Sequence, residues 1–291
     1  MERYRWGVAL GERDAAQVTD AALRYLAERP AGKPLFLWVH YIDPHAPYRD
    51  HPGCTPPRPR GAESRQDRAR RFYRGEVTWM DRHIARLLRA IPESAVVVFI
   101  ADHGENLGEH GYFGHGRKLW QESLRIPLLL RIPGRSPGDM DAPAMAHDLA
   151  PTLLALTGLD PLPGADGFDL LNALPPADRP RFIQAYPGAV PPIPGIRRAS
   201  DRATPLLSGV ARGSYKWFAD PRGGRAWLFN LDEDPAERYN LASGRPECRS
   251  ALESLTREWL KSARFHREDR ALSFPGLVPA DREVLRSLGY L

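Results

Sequence analysis

The sequence predicts an α/β domain over residues 1–199, with a mostly parallel sheet flanked by helices, and a small α+β module over residues 200–291. Three observations carry this reading. Two nearly continuous apolar runs, residues 35–42 and 95–101, have the composition of strands covered on both faces. Segments with apolar residues at helical spacing alternate with them, as a layered α/β sheet requires. From residue 200 onward the texture changes to short segments of antiparallel character, closed by a helix.

The elements follow in order. Asp14 suits a helix N-cap, Val18, Ala21, Ala22, Tyr25 and Leu26 form one face, and Pro30 stops the helix. The run 35–42 is the first strand, and His40 within it reads as a core histidine. It ends in Asp43-Pro44-His45-Ala46-Pro47, a loop because two prolines break any ladder. Residues 49–71 are rich in Pro, Gly and Arg and read as irregular. Tyr73, Val77, Met80, Ile84, Leu87, Leu88 and Ile91 then recur at helical spacing up to Pro92. Residues 95–101 and 127–132 are two further strands. Leu149, Thr152, Leu153 and Leu156 form a helix that Gly158 suits as a C-terminal turn. Residues 159–200 read as proline-rich and irregular. Segments near 206–219 and 225–231 read as antiparallel strands, and 246–263 as a helix. Trp38, Trp79 and Trp120 read as core.

Composition narrows the function classes. The 291 residues are 42% hydrophobic and 26% charged, ordinary for a globular chain. No run of about 18 apolar residues predicts a membrane span. Two cysteines, Cys54 and Cys248, make neither a disulfide framework nor a cysteine-rich zinc site. A net charge of +5 is a weak preference for anions. The arginines between Arg58 and Arg74 are interleaved with Glu63, Asp67 and Glu76 and lack stacking aromatics, so no nucleic-acid partner is expected.

Chemistry is expected at the carboxyl ends of the strands, where open α/β sheets bind ligands. One such end carries Asp43-Pro44-His45. Another carries Asp102-His103-Gly104-Glu105, followed by His110 and by Gly114-His115-Gly116. A carboxylate beside an imidazole suits a divalent metal, provided the chain turns so that both reach one ion, and Gly104 permits that turn.

These residues carry a resemblance. FLWVHYIDPHAPY, YRGEVTWMDRHIARLL and VVVFIADHGENLGEHGYFGHGRKLWQESLRIPLLLRIPG, then DLAPTLLALTGL, GADGFDLL, SYKWF, WLFNLDEDPAERYNLA and the closing LRSLGYL stand in the order of the sulfatase family of the alkaline phosphatase superfamily. The chain resembles the C-terminal portion of that family. The resemblance implies a metal-assisted sulfuric-ester hydrolase. Asp102 and His103 match its metal ligands, His45 the histidine at the sulfate or leaving group, and His115 a substrate-binding position for which Lys118 is the neighbouring alternative. The implied metal is Ca2+, with Mn2+ or Zn2+ as alternatives that a histidine ligand admits. The family's nucleophile is a formylglycine made from Cys or Ser in a C/S-x-P-x-R motif upstream of FLWVHYIDPHAPY. No such motif precedes that segment here, so the nucleophile is expected in an N-terminal part that this chain lacks. Cys54-Thr55-Pro56-Pro57-Arg58 matches the pattern literally but follows the DPH motif, and Cys54 reads as a surface-loop cysteine. Other implied readings are a phosphodiesterase or phosphonate monoester hydrolase of the same superfamily, or a non-catalytic chain completed by another. The implied substrate is an anionic sulfated small molecule or glycan, and the family expectation for location is periplasmic or extracellular.

Overall fold

The computed structural model describes residues 13–30, 32–186 and 205–262. The boundary expected at residues 199 and 200 and the closing LRSLGYL lie outside them. The chain divides into two compact units, one from residues 1–99, 106–114 and 128–135, the other from 100–105, 115–127 and 136–291.

In the first unit, helix α1 (Ala15–Glu28) starts where Asp14 accepts from the Gln17 amide and the Gln17 side chain returns to the Asp14 amide. This reciprocal cap satisfies two backbone donors that a helix start leaves open. Ala15, Val18, Thr19 and Ala22 form its buried face. That face meets helix α2 (Arg65–Ala90), where the Thr19 hydroxyl donates to the His83 carbonyl at 3.3 Å and Arg86 pairs with Asp20 at 2.7 Å. Helix α2 begins eight residues earlier than its apolar spacing predicts. Its first turns, RQDRARRF, are polar on almost every side and leave no stripe to read. The Ser64 hydroxyl, accepting from the Asp67 amide, sets the start instead. The arginines there meet carboxylates of the same unit: Arg71 with Glu63 at 2.6 Å and Arg70 with Glu109 at 2.7 Å.

Strand β1 (Val97–Ile100) follows, then a short antiparallel hairpin of β2 (Asn106–Leu107) and β3 (Phe113–Gly114), and then β4 (Leu128–Arg131), which pairs with β1. The run 35–42 differs from expectation. It is extended, but no ladder partner faces it among the described residues. Its burial alternates: Phe36 and Trp38 are 80% and 78% exposed and His40 is exposed, while Leu37 and Val39 are half-buried. His40 and Trp38 are therefore not core residues. Tyr41 shares a 2.8 Å hydrogen bond with Thr19, which ties the run to α1. Cys54 is also corrected: it is buried, and its amide donates to the His51 carbonyl at 2.8 Å.

The second unit is built on a four-stranded antiparallel meander of β5 (Arg181–Ala185), β6 (Leu207–Arg212), β7 (Tyr215–Ala219) and β8 (Ala226–Asn230). Alternation sends two apolar sets to opposite faces. Leu207, Phe218 and Phe229 gather on one face with Leu119 and Trp120, beside the short helix α3 (Gln121–Leu124). Val210, Trp217 and Leu228 gather on the other with Leu252 of helix α5 (Pro246–Ser262). Strand β5 was not legible, because it emerges from the proline-rich stretch read as irregular. Helix α4 (Leu149–Leu156) and the left-handed Gly158 after it follow the spacing. Among the described residues no helix is long and apolar enough to cross a membrane.

Candidate functional site

The turn after β1 assembles most of the predicted site within the second unit. Gly104 makes it possible. Its amide donates to the Ser123 carbonyl at 2.9 Å, and a Cβ on it would collide with the Glu122 carbonyl oxygen. Asp102 and His103 stand just before that close approach. The Asp102 Oδ1 accepts from the His103 amide at 2.9 Å, and Oδ2 lies 3.8 Å from His103 Nε2. His103 Nδ1 is 2.8 Å from the Gly104 carbonyl. A carbonyl only accepts, so Nδ1 carries a proton, and Nε2, beside the carboxylate, is the ring atom that a metal would take. That is how a backbone carbonyl orients a metal-ligating imidazole. Both side chains are exposed, 60% for Asp102 and 39% for His103.

His115 joins them from sequence twelve residues on. Its ring stacks on His103 at 3.8 Å between centroids with 26° between planes. Its Nδ1 lies 3.2 Å from Glu105 Oε1, and Glu105 is 6% exposed. The hydrogen bond to Glu105 raises the His115 pKa against the opposing effect of burial. Glu105 was seen in the sequence only as a neighbour; its part in holding His115 comes from the structure. Lys118 is exposed.

The structure places His45 in the first unit, in the loop after the run 35–42. Its Nδ1 donates to the Ala46 carbonyl at 2.7 Å. His110 is exposed at φ +53° in a tight turn over Glu109–Gly111 of the same unit.

Sequence reasoning missed a second group in the first unit. Asp43, His51 and Glu76 are all buried, and their side-chain ligand atoms lie within 4.8 Å of one another. Burial pushes the Asp43 carboxyl up to about 6, and the Glu76 charge adds to that. The available signal was Glu76 itself, a charged residue three positions after Tyr73 and four before Met80, on the apolar stripe of α2.

The donor chemistry of Asp102 and His103 fits a divalent cation: a hard oxygen and an imidazole nitrogen at one turn. Comparison with known proteins identifies the family. The sulfatase family profile matches residues 1–159. The choline-sulfatase of Rhizobium meliloti (strain 1021) is 27% identical over 186 residues, covering 60% of this chain and 33% of the relative. The mouse arylsulfatase K is 25% identical over 228 residues, covering 75% of this chain and 40% of the relative. The chain thus spans between a third and two-fifths of the length of these two relatives. Among solved structures, the phosphonate monoester hydrolase of Silicibacter pomeroyi superposes with a TM-score of 0.63 at 22% identity, over 90% of this chain and 62% of that one.

Proposed function

We propose that this chain, which belongs to the sulfatase family and has its alkaline-phosphatase-like α/β fold, holds the metal and binds the anion in the hydrolysis of a sulfuric ester. The observation that carries the proposal is the gathering of Asp102, His103 and His115 at one glycine-dependent turn. A divalent cation held by Asp102 and His103 would supply charge neutralisation for a sulfate group. The other roles belong to the chain itself. The Gly104 carbonyl fixes the His103 tautomer that offers Nε2. Glu105 holds the Nδ1 proton of His115 and favours its cationic form, which suits an anionic ester. Lys118 adds a flexible positive charge nearby in sequence. His45 offers an imidazole for the proton that a leaving alcohol needs. No residue of this chain is assigned as the nucleophile, and buried Cys54 has no supported part in the reaction.

The proposed substrate is a sulfate ester of a small molecule or a glycan, consistent with relatives named as a choline-sulfatase and an arylsulfatase. A second reading, transfer of a phosphoryl or phosphonyl group, draws on the fold shared with a phosphonate monoester hydrolase and on His103, which also suits manganese or zinc. The test uses the protein purified from its own source. Release of 4-nitrophenol is compared between 4-nitrophenyl sulfate and 4-nitrophenyl phenylphosphonate, before and after EDTA and in Asp102→Asn. Faster turnover of the sulfate that EDTA and Asp102→Asn each abolish is expected. Turnover of the phosphonate alone, or sulfate turnover untouched by both, would overturn the assignment.

A further inference from the structure

The buried trio of the first unit sets two carboxylates around one imidazole and leaves one carboxylate oxygen without a hydrogen-bond donor. Asp43, His51 and Glu76 are 9%, 8% and 3% exposed. His51 Nε2 lies 2.9 Å from Glu76 Oε2, which accounts for the imidazole and one carboxylate oxygen. The other Glu76 oxygen accepts from the Arg49 amide at 2.5 Å. That leaves Asp43. Its Oδ2 is buried and has no hydrogen-bond partner, although the carboxylate and imidazole atoms of the trio stand within 4.8 Å of each other. A buried carboxylate oxygen without a donor costs several kcal/mol unless something positive reaches it.

The ligands are held stiffly. The His51 ring stacks on Trp79 at 4.8 Å with 14° between planes, and its amide donates to the Thr55 hydroxyl at 2.8 Å. Glu76 is fixed by two contacts from the segment 49–51, and α2 carries it inside the unit. A small open cavity lined by Arg13, Asp14, Asp43, His45, Arg49 and Glu76 gives a path to the carboxylates and room for water.

We infer that Asp43, His51 and Glu76 form a second cation site, distinct in its residues from Asp102 and His103, that takes a divalent transition ion such as zinc or manganese. Two carboxylate oxygens and one imidazole nitrogen are a first-row ligand set with positions left for water. Calcium is a poor match, since it wants six to eight oxygens. The inference does not depend on the sulfatase reaction, and its test reads metal content rather than turnover.

The protein, produced in its own host, is stripped with EDTA and dialysed against zinc, and bound metal is measured by mass spectrometry. The measurement is made in an Asp102→Asn, His103→Asn background, which removes the other pair of ligands. A single tightly held zinc is expected there, with a melting temperature raised by zinc. Adding Glu76→Gln is expected to weaken zinc binding by roughly tenfold or more, the scale seen when a metal site loses part of its support. Because Glu76 also holds the Arg49 amide, that variant could fail to fold, so Asp43→Asn is the second probe. Its amide donates to Glu76 and satisfies the network without metal, so it is expected to fold and to lose the zinc. No bound zinc in the double-variant background, or zinc content unchanged by Asp43→Asn, would overturn the site and leave a proton as what Asp43 shares with Glu76. Either result leaves the sulfatase assignment to its own assay.

Discussion

Replacing Asp148 by alanine is expected to be among the most damaging single changes in the second unit. Its side chain is fully buried and accepts three hydrogen bonds, from the Met145 amide at 2.7 Å, the Phe168 amide at 2.9 Å and Arg179 Nη1 at 2.7 Å. Arg179 is itself 8% exposed, and its guanidinium lies over the Phe168 ring at 4.6 Å. Alanine would strand that cation in the interior and orphan two amides. Breaking a buried pair by deleting one partner costs about 3–5 kcal/mol, and the orphaned amides are part of that sum. With a urea dependence of about 2 kcal/mol per molar, a 4 kcal/mol loss moves the midpoint by about 2 M. The assay is urea unfolding followed by tryptophan fluorescence. Adding Arg179→Met to Asp148→Ala should recover much of the loss, because the stranded charge goes with it. The pH dependence has a definite sign. Burial raises the Asp148 pKa, but Arg179 and the two amides outweigh it and leave it lowered. Its contribution is therefore complete above the ordinary aspartate range and is lost as pH falls below about 4. Asp148→Asn should lack that acid-sensitive part. A midpoint shift under about 0.5 M for Asp148→Ala would refute the reasoning, because it would mean that water reaches Arg179 at little cost.

Two further changes test the same physics elsewhere. Gly104→Ala puts a methyl against the Glu122 carbonyl and must push the turn that holds Asp102 and His103. A loss of about 1–3 kcal/mol in thermal unfolding and weaker metal retention are expected, and an unshifted melt would show that the turn yields freely. Lys216 and Glu237, 1% and 0% exposed, pair inside the second unit, where Lys216 also donates to the Leu119 carbonyl at 2.7 Å. Lys216→Met should cost about 3–5 kcal/mol in urea unfolding, and Glu237→Gln in the same chain should return part of it. Equal stability of the single and double variants would count against a stranded carboxylate.

What the sequence made legible were patterns local to a segment. The apolar spacing of α1 and α4, the short apolar runs of β1 and β4 and the alternation of β7 and β8 each report one face meeting one core. The run 35–42 shows where that logic stops. Its composition records that Phe36 and Trp38 are apolar, but burial needs a neighbour, and both side chains are largely exposed. Helix α2 shows the reverse case: its first turns are polar and helical because Ser64 caps them, a signal of one residue against eight without a stripe. At the candidate site, the motif located Asp102, His103 and His115. It did not reveal that Glu105 would be buried against His115, since a glutamate in a glycine-rich segment looks like any solvated charge.

Buried charge separates structural groups from candidate ligands once the signs are counted. Asp148 faces Arg179, and Lys216 faces Glu237, so each pair closes on itself and its geometry explains its burial. Within the trio, Asp43 and Glu76 have His51 as their one imidazole partner, while Arg13 and Arg49 line the adjoining cavity. Interiors tolerate an ion that is matched and hydrogen-bonded, and an unmatched one draws in a proton or a metal. The donor-less oxygen of Asp43, beside a cavity that admits water, is what makes this group a binding hypothesis where the other two are ties. Helix α2 could have carried a leucine at position 76 at no cost to its own periodicity. A glutamate there forgoes that apolar burial; the Arg49 amide and His51 offset part of the loss, and the oxygen still without a donor is that of Asp43.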